Sequence, residues 1–276
     1  MKASHLRRSA LLTLGLSLVA ASVFVQAQTA TQTFTPEVGQ PGKDVVWVPT
    51  PQSMVDKMLD MAKVTAQDFV IDLGSGDGRT VITAAKRGAR AQGIEYNPDM
   101  VALSQRNAAA EGMSARATFA KADLFESDFS QASVITMFLL PEINLRLRPK
   151  ILDLKPGTRI VSNTFTMDDW SPDETATVGT DCSTWCTALF WIVPAKVEGA
   201  WQLPQGMLNL RQQFQMISGT LSGGNNTGAI TAATLRGDQI SFSAGGVQYT
   251  GRVNGNVMQG TTGTGASWRA TRAGGG

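Results

Sequence analysis

The stretch IDLGSGDGRT, residues 71–80, sets Gly74, Ser75 and Gly76 between two carboxylates, Asp72 and Asp77, with Gly78 just beyond, directly after an apolar run. Glycine in such a turn lets the backbone take positive φ and lie close against a ligand. A phosphate loop requires G-x-x-x-x-G-K-[ST], and no Lys-Ser or Lys-Thr stands here. A dinucleotide fingerprint requires G-x-G-x-x-G, whereas this spacing is G-x-G-x-G, one residue tighter. Carboxylates repel a pyrophosphate and suit an ammonium group or a positive sulfur. Glu95 ends the next apolar run, where a carboxylate can take both hydroxyls of a ribose. Asp123, in KADLF, ends the third, where it can address the exocyclic amine of adenine with Leu124 and Phe125 against the ring. The ordered set fits a nucleoside that bears an amino acid. A nicotinamide oxidoreductase is an alternative user of the turn, disfavoured by the aspartates. A non-catalytic nucleoside-binding scaffold or sensor is another.

These residues need elements to hold them. Strands are predicted at 69–73, 90–95, 116–123, 132–140 and 158–165, with two more at 174–179 and 187–197. Between them come helices. One starts with Thr50 as N-cap and Pro51 at the first helical position, with Met54, Val55, Met58, Leu59 and Met61 inward. Others span 78–87, then 98 to about 111 with Asn97 as cap and Pro98 first, and 141–152. Strand-helix repetition of this kind predicts an α/β fold, a doubly wound, mostly parallel sheet with helices on both faces. Ligands in such a sheet sit outside the carboxyl ends of the strands.

After about Gly199 the character changes. From Trp201 onward glycine is frequent and Asp238 is the one acidic residue. Short alternating runs separated by RGDQ and VNGN predict a small antiparallel all-β unit. The division expected is a leader at 1–27, a polar tether at 28–45, the α/β domain at 46–199, the β unit at 200–272 and a tail at 273–276. The β unit carries no catalytic constellation and reads equally as a stabilising cap or a binding module.

The leader has a basic head (Lys2, Arg7, Arg8), an uncharged apolar stretch from Ala10 to Val25, and small residues ending at Ala27. It reads as a secretory signal, with LRRSALL a weak twin-arginine pattern, and so predicts an exported, periplasmic protein. An uncleaved inner-membrane anchor, which would keep the protein near the membrane, is the alternative. The chain's single histidine, His5, lies in this leader. The mature protein therefore lacks Ser-His-Asp and Cys-His machinery and histidine-containing zinc sites. Cys182 and Cys186, in CSTWC, are too few for an all-cysteine metal site, so no metal is expected. In an oxidising compartment a loop disulfide is their expected fate. With 17% charged residues and a net charge of +2, no nucleic-acid partner is indicated. Without histidine, a cofactor is the natural source of the chemistry.

VIDLGSGDGR, GIEYNP, ADLF and MFLLPE together resemble the class I, seven-strand S-adenosylmethionine-dependent methyltransferases over roughly residues 45–197. The glycine turn and the FL-P pattern are similar to those of small membrane-associated lysine methyltransferases, including mitochondrial ones. The resemblance implies a sheet of order 3-2-1-4-5-7-6 with strand 7 antiparallel. It implies S-adenosylmethionine held by Asp72, Gly74, Ser75, Gly76, Asp77, Gly78, Glu95, Tyr96, Asn97, Asp123, Leu124 and Phe138. It implies an acceptor at the end of the fourth strand, Phe138 to Glu142. Glu142 is the candidate to orient or deprotonate an amine, or else a carboxylate that simply favours a helix N-terminus. Val48 to Pro51 is placed over the methionine end of the cofactor, or is a helix start alone. Asp169 and Trp170 are candidates for the pocket rim. A lysine, a small amine, a hydroxyl and a lipid headgroup are all compatible acceptors, and the residues set no oligomeric state.

Overall fold

The computed structural model describes Met1 and residues 34–274, apart from residues 180 and 224–225. The predicted leader lies outside the described residues. Among those described, no helix is long and apolar enough to cross a membrane. The described residues from Phe34 onward belong to one compact unit built on two sheets.

The first half alternates strand and helix. α1 (Gln52–Met61) leads into β1 (Phe69–Leu73), α2 (Arg79–Lys86), β2 (Arg90–Glu95), α3 (Pro98–Ala110), β3 (Ala117–Lys121), β4 (Val134–Met137), α4 (Pro141–Leu152), β5 (Arg159–Asn163), β6 (Glu174–Thr177) and β7 (Thr187–Ile192). The sheet runs β3-β2-β1-β4-β5-β7-β6, with β7 antiparallel to its neighbours, as the resemblance implied. Strand alternation feeds two cores. Val70, Val134 and Val161 pack with Met54, Val55, Leu59 and Val81 on one face. Ile71, Leu73, Ile135, Met137 and Ile160 pack with Ile143, Leu147, Ile151, Trp170 and Trp191 on the other. Burial on both faces is why these strands read as continuous apolar runs.

Several expected boundaries shift. Thr50 does not cap α1. Pro51 holds the cap position, its carbonyl accepts from Met54 and Val55, and no side chain caps the end. Proline's fixed φ already suits a helix start, so the cap is dispensable here. Asn97 does cap α3, accepting from the N–H groups of Asp99 (2.9 Å) and Met100 (3.4 Å). β3 stops at Lys121, so Asp123 lies in the turn beyond the strand. There its side chain accepts from the Phe125 N–H at 2.9 Å, a local bond that competes with the ladder.

The second sheet is entirely antiparallel. Its strands are β8 (Gly199–Leu203), β9 (Gly206–Gln213), β10 (Met216–Gly223), β11 (Asn226–Ala229), β12 (Thr231–Arg236), β13 (Gln239–Ala244), β14 (Val247–Asn254), β15 (Val257–Thr262) and β16 (Ser267–Arg272). Their order is β11-β10-β9-β8-β16-β15-β14-β13-β12. The sheet curls until β10 approaches β12, and the Ile230 N–H donates to the Gly219 carbonyl at 2.9 Å. Trp201, Leu208, Phe242, Tyr249 and Trp268 fill its inside. It is docked, not merely appended. Phe214 stacks on Trp170 at 5.7 Å, Arg236 pairs with Glu174 at 2.8 Å, and the Ala195 N–H donates to the Gly237 carbonyl at 2.8 Å.

Candidate functional site

A cleft open to solvent on one side lies at the carboxyl ends of β1, β2 and β4. Its floor is the glycine turn. The N–H groups of Gly74 and Ser75 both donate to the Ile94 carbonyl (2.9 and 3.1 Å), which ties the turn to β2. Gly76 has φ +53, and a Cβ on it would lie 2.6 Å from the Trp47 indole nitrogen. Gly78 has φ +83 and opens α2, packed so close to Phe119 that a Cβ would meet the ring at 2.7 Å. Both positions therefore need glycine for conformation and for space.

Four carboxylates stand around this floor, each in a different state. Glu95 accepts from the Gly76 N–H through Oε2 and from the Asn97 N–H through Oε1, both at 2.9 Å. Each oxygen keeps a further lone pair for a hydroxyl. Asp72 is buried, and the Thr136 hydroxyl donates to its Oδ1 at 2.6 Å. Burial pushes its pKa from 3.8 up to about 7 against that bond, with the charges of Glu95 and Asp77 adding to the rise. Asp77 is held by Arg79 in a fork, Nε to Oδ1 at 3.0 Å and Nη2 to Oδ2 at 2.6 Å. The same guanidinium donates to the Thr50 carbonyl at 2.9 Å. Asp77 thus clamps the turn to the segment before α1, and its charge is already matched, which corrects the expectation that it faces a ligand cation. Asp123 is paired with Lys43, whose hydrogen bond holds the carboxyl below the usual range.

The structure gathers Asp72, Gly74, Ser75, Gly76, Asp77, Glu95, Tyr96, Asn97, Asp123, Leu124 and Phe138 on the cleft wall. Gly78 sits one position behind, at the α2 N-terminus. Glu142 is not brought in. It is exposed in the first turn of α4 and does not line the cleft, so its position is that of a carboxylate favoured by the helix macrodipole. Phe125 turns away to lie under Arg146, 3.6 Å from ring centroid to guanidinium carbon. Trp170 is fully buried against Trp191 and Phe214, and Asp169 pairs with Arg148 at 2.5 Å, so neither rims the cleft.

The end of the segment expected to be a tether, residues 40–45, contributes more than the sequence suggested, together with residues 46–50 that follow it. Residues 40–50 line the cleft, with the Trp47 indole against Gly76 and Lys43 over the Tyr96 ring at 4.8 Å. The Gly39 N–H donates to the Trp47 carbonyl and the Trp47 N–H to the Gln40 carbonyl, so the segment folds on itself as a flap. The apolar run VVWV, residues 45–48, was the signal that this stretch packs on something. Val48 to Thr50 do border the cleft, as placed from sequence.

Comparison with known proteins gives this arrangement its family. Residues 72–174, which hold most of the cleft, match the ANTKMT methyltransferase domain. A protein-lysine N-methyltransferase of Saccharolobus islandicus is 46% identical over 133 residues, covering 47% of this chain and 83% of that protein. The chain belongs to the class I S-adenosylmethionine-dependent methyltransferases, among the relatives of the lysine methyltransferases. The adenine nucleotide translocase lysine N-methyltransferase of Mus musculus is 36% identical over 114 residues, 41% of this chain, which spans 50% of that relative's length. A crystal structure of an RNA methyltransferase from Salinibacter ruber in complex with S-adenosyl-L-homocysteine superposes with a TM-score of 0.51. It is 43% identical and covers 54% of this chain and 96% of that one. The methyltransferase's cofactor is S-adenosylmethionine.

The residues of the cleft fit that group. Asp72 is a buried carboxylate with no cation beside it among the described contacts, Ser75 Oγ is buried without a partner, and Gly76 offers bare backbone. The second sheet lies outside the matched span and supplies no residue to the cleft.

Proposed function

We propose that this methyltransferase methylates the side-chain amine of a protein lysine, and that it does so as an exported, periplasmic protein. The observation that carries the reading is the acidic cleft around the glycine turn, most of it within residues 72–174 that match the ANTKMT methyltransferase domain, in a chain similar to the lysine N-methyltransferases of Saccharolobus islandicus and Mus musculus. When bound, S-adenosylmethionine supplies a methyl group on a positive sulfur that leaves as a neutral thioether once a nucleophile takes the methyl.

The chain's part is to bind, orient and exclude water. Glu95, already fixed by two backbone N–H groups, holds the ribose hydroxyls. Asp72 faces the ammonium of the methionine part, with Ser75 Oγ as a further polar contact. Leu124 and Tyr96 border the adenine, with Asp123 at its amine. Gly74 lies beneath the ligand, and Trp47, packed on Gly76, borders it from the flap. Phe138 and Leu139 face the acceptor. The amine must arrive uncharged, and the apolar side chains at the β4 end penalise its charged form. The proton it carries after methylation passes to water, so no carboxylate base is required. Export is supported by the leader's basic-apolar-small pattern and by the Cys182–Cys186 disulfide.

The test is calorimetric titration of S-adenosylmethionine and S-adenosylhomocysteine into residues 28–276, followed by incubation with lysine-containing periplasmic extract and mass spectrometry of the products. Cofactor binding with methylated lysines supports the reading. Cofactor binding with methyl groups only on other acceptors overturns the lysine assignment. Fractionation of cells that leaves the uncleaved chain in the cytosol overturns export.

A further inference from the structure

The wall of the cleft at the end of β4 carries an aromatic cluster that extends beyond the residues assigned to the cofactor. Phe138 lines the cleft. Its ring stacks on Phe165, with centroids 5.8 Å apart and planes at 16°, and meets Trp185 edge-on at 5.8 Å and 61°. The three rings come from three loops, after β4, after β5 and between β6 and β7. Trp185 is 40% exposed, so its ring does not fill a core. Phe165 and Trp185 do not line the cleft themselves; both border it through their contacts with Phe138.

The loop after β5 and the loop between β6 and β7 are pinned. The Phe165 carbonyl accepts from Ser162 Oγ at 2.7 Å and from Asn144 Nδ2 at 3.2 Å. The Thr164 N–H donates to the Thr187 carbonyl at 2.6 Å, joining the β5 loop to the start of β7. Trp185 itself sits at φ +57 inside the loop closed by the Cys182–Cys186 disulfide, and the Cys186 carbonyl accepts from the Val178 N–H at 2.9 Å. A disulfide across so short a loop removes the conformers in which the indole would swing away.

We propose that Phe138, Phe165 and Trp185 form the acceptor mouth, that it takes an aliphatic primary amine, and that the disulfide is the positioning element for Trp185. The proposal rests on the lysine reading above. Aromatic faces attract an ammonium group and grip the aliphatic stem behind it. The carboxylates deeper in the cleft reinforce that attraction at a distance. Passing inward between the rings, the ammonium gives a proton to solvent water, because desolvation favours the neutral amine, whose lone pair then takes the methyl while the sulfur leaves as a neutral thioether. Phe138 belongs to both the mouth and the cofactor cleft, so a side chain gripped by the rings enters where the methyl is presented.

The probe is N-acetyl-lysine methylamide, titrated into full-length mature enzyme saturated with S-adenosylhomocysteine and labelled with fluorotryptophan. Trp185→Phe identifies the fluorine resonance of Trp185. The expected result is a saturable shift of that resonance, with N-acetyl-norleucine methylamide binding about tenfold more weakly. Cys182→Ser with Cys186→Ser weakens probe binding about fivefold or more and leaves S-adenosylhomocysteine affinity unchanged. In turnover with the same probe, Trp185→Ala raises KM about tenfold with a smaller change in kcat. A saturable shift without methyl transfer keeps the amine mouth and overturns the lysine reading of the activity. No shift while S-adenosylhomocysteine binds, or an unchanged KM in Trp185→Ala, overturns the mouth.

Discussion

Asp72→Asn tests the electrostatics of the cleft directly. Asp72 is 6% exposed, its one hydrogen bond comes from Thr136, and burial first, then the charges of Glu95 and Asp77, pushes its pKa from 3.8 to about 7. A carboxyl whose folded pKa lies above its unfolded value keeps its proton longer in the folded state. Stability therefore falls as pH rises from about 4 to about 7, and above 7 the whole cost is felt. At 1.36 kcal/mol per pH unit the gap corresponds to about 4 kcal/mol. The asparagine amide needs partners of its own and returns about 1–2 kcal/mol of that. The ligand-free variant is then expected to be about 2 kcal/mol more stable than wild type at pH 8 and no more stable at pH 4, by urea unfolding.

The same residue sets a pH dependence of binding. A ligand ammonium selects the ionised carboxylate. About one wild-type molecule in thirty is ionised there at pH 5.5 and about three in four at pH 7.5, so S-adenosylhomocysteine affinity should rise about twentyfold across that window. In Asp72→Asn the slope should vanish and the affinity should remain low throughout. Calorimetry at the two pH values reads both. A wild-type affinity that is flat across the window, or a variant that is destabilised at pH 8, refutes the account of an uncompensated buried carboxylate.

Three further substitutions separate the other contacts. Glu95→Ala should weaken S-adenosylhomocysteine binding by about 1–3 kcal/mol, since it leaves two ribose hydroxyls without their acceptor and loosens Gly76, whose N–H Glu95 accepts at 2.9 Å; unchanged affinity by calorimetry would count against the ribose role. Gly76→Val should abolish binding, because φ +53 suits a β-branched residue badly and its Cβ position lies 2.6 Å from the Trp47 indole; retained binding in a folded variant by the same assay would place the ligand elsewhere. Lys43→Gln should change affinity by less than about threefold and reduce its dependence on salt, because the pair with Asp123 is partly exposed at the cleft rim and solvent-screened pairs are weak; a large loss, measured at low and at high salt, would make Lys43 a direct ligand contact.

Most of the fold was legible because the α/β half states its period plainly. The β2 and α4 limits agree with the sequence reading to the residue, since Arg90 and Pro141 mark their starts unambiguously. The glycine turn and Glu95 were legible for the same reason, being fixed by strand ends. What was not legible depends on tertiary pairing. Arg79 stands only two residues after Asp77, yet nothing in the local pattern says that the fork closes instead of reaching solvent. Trp47, just past the expected tether, drew no role in the sequence because its partner, Gly76, is distant along the chain. Glu142 was open to two readings, an amine partner or a helix N-terminal carboxylate, because it follows a strand end and opens a helix. The turn of Pro141 into the helix carries it outward, and the residue that stays inward is Ile143.

The carboxylates around the turn explain one another. Crowding four acids at the ends of three strands is unfavourable unless each charge is met. Arg79 meets Asp77, Lys43 meets Asp123, and two backbone N–H groups meet Glu95. Asp72 alone receives only a neutral hydroxyl, and it is the one buried. The strain is therefore concentrated at one atom pair facing the cleft, where a bound cation relieves it and nothing else described does. A phosphate-bearing ligand would add charge of the wrong sign at that point. Selection of an ammonium-bearing nucleoside over a dinucleotide thus follows from which carboxylate the fold leaves unmatched, a choice made by Arg79 and Lys43 as much as by the glycines.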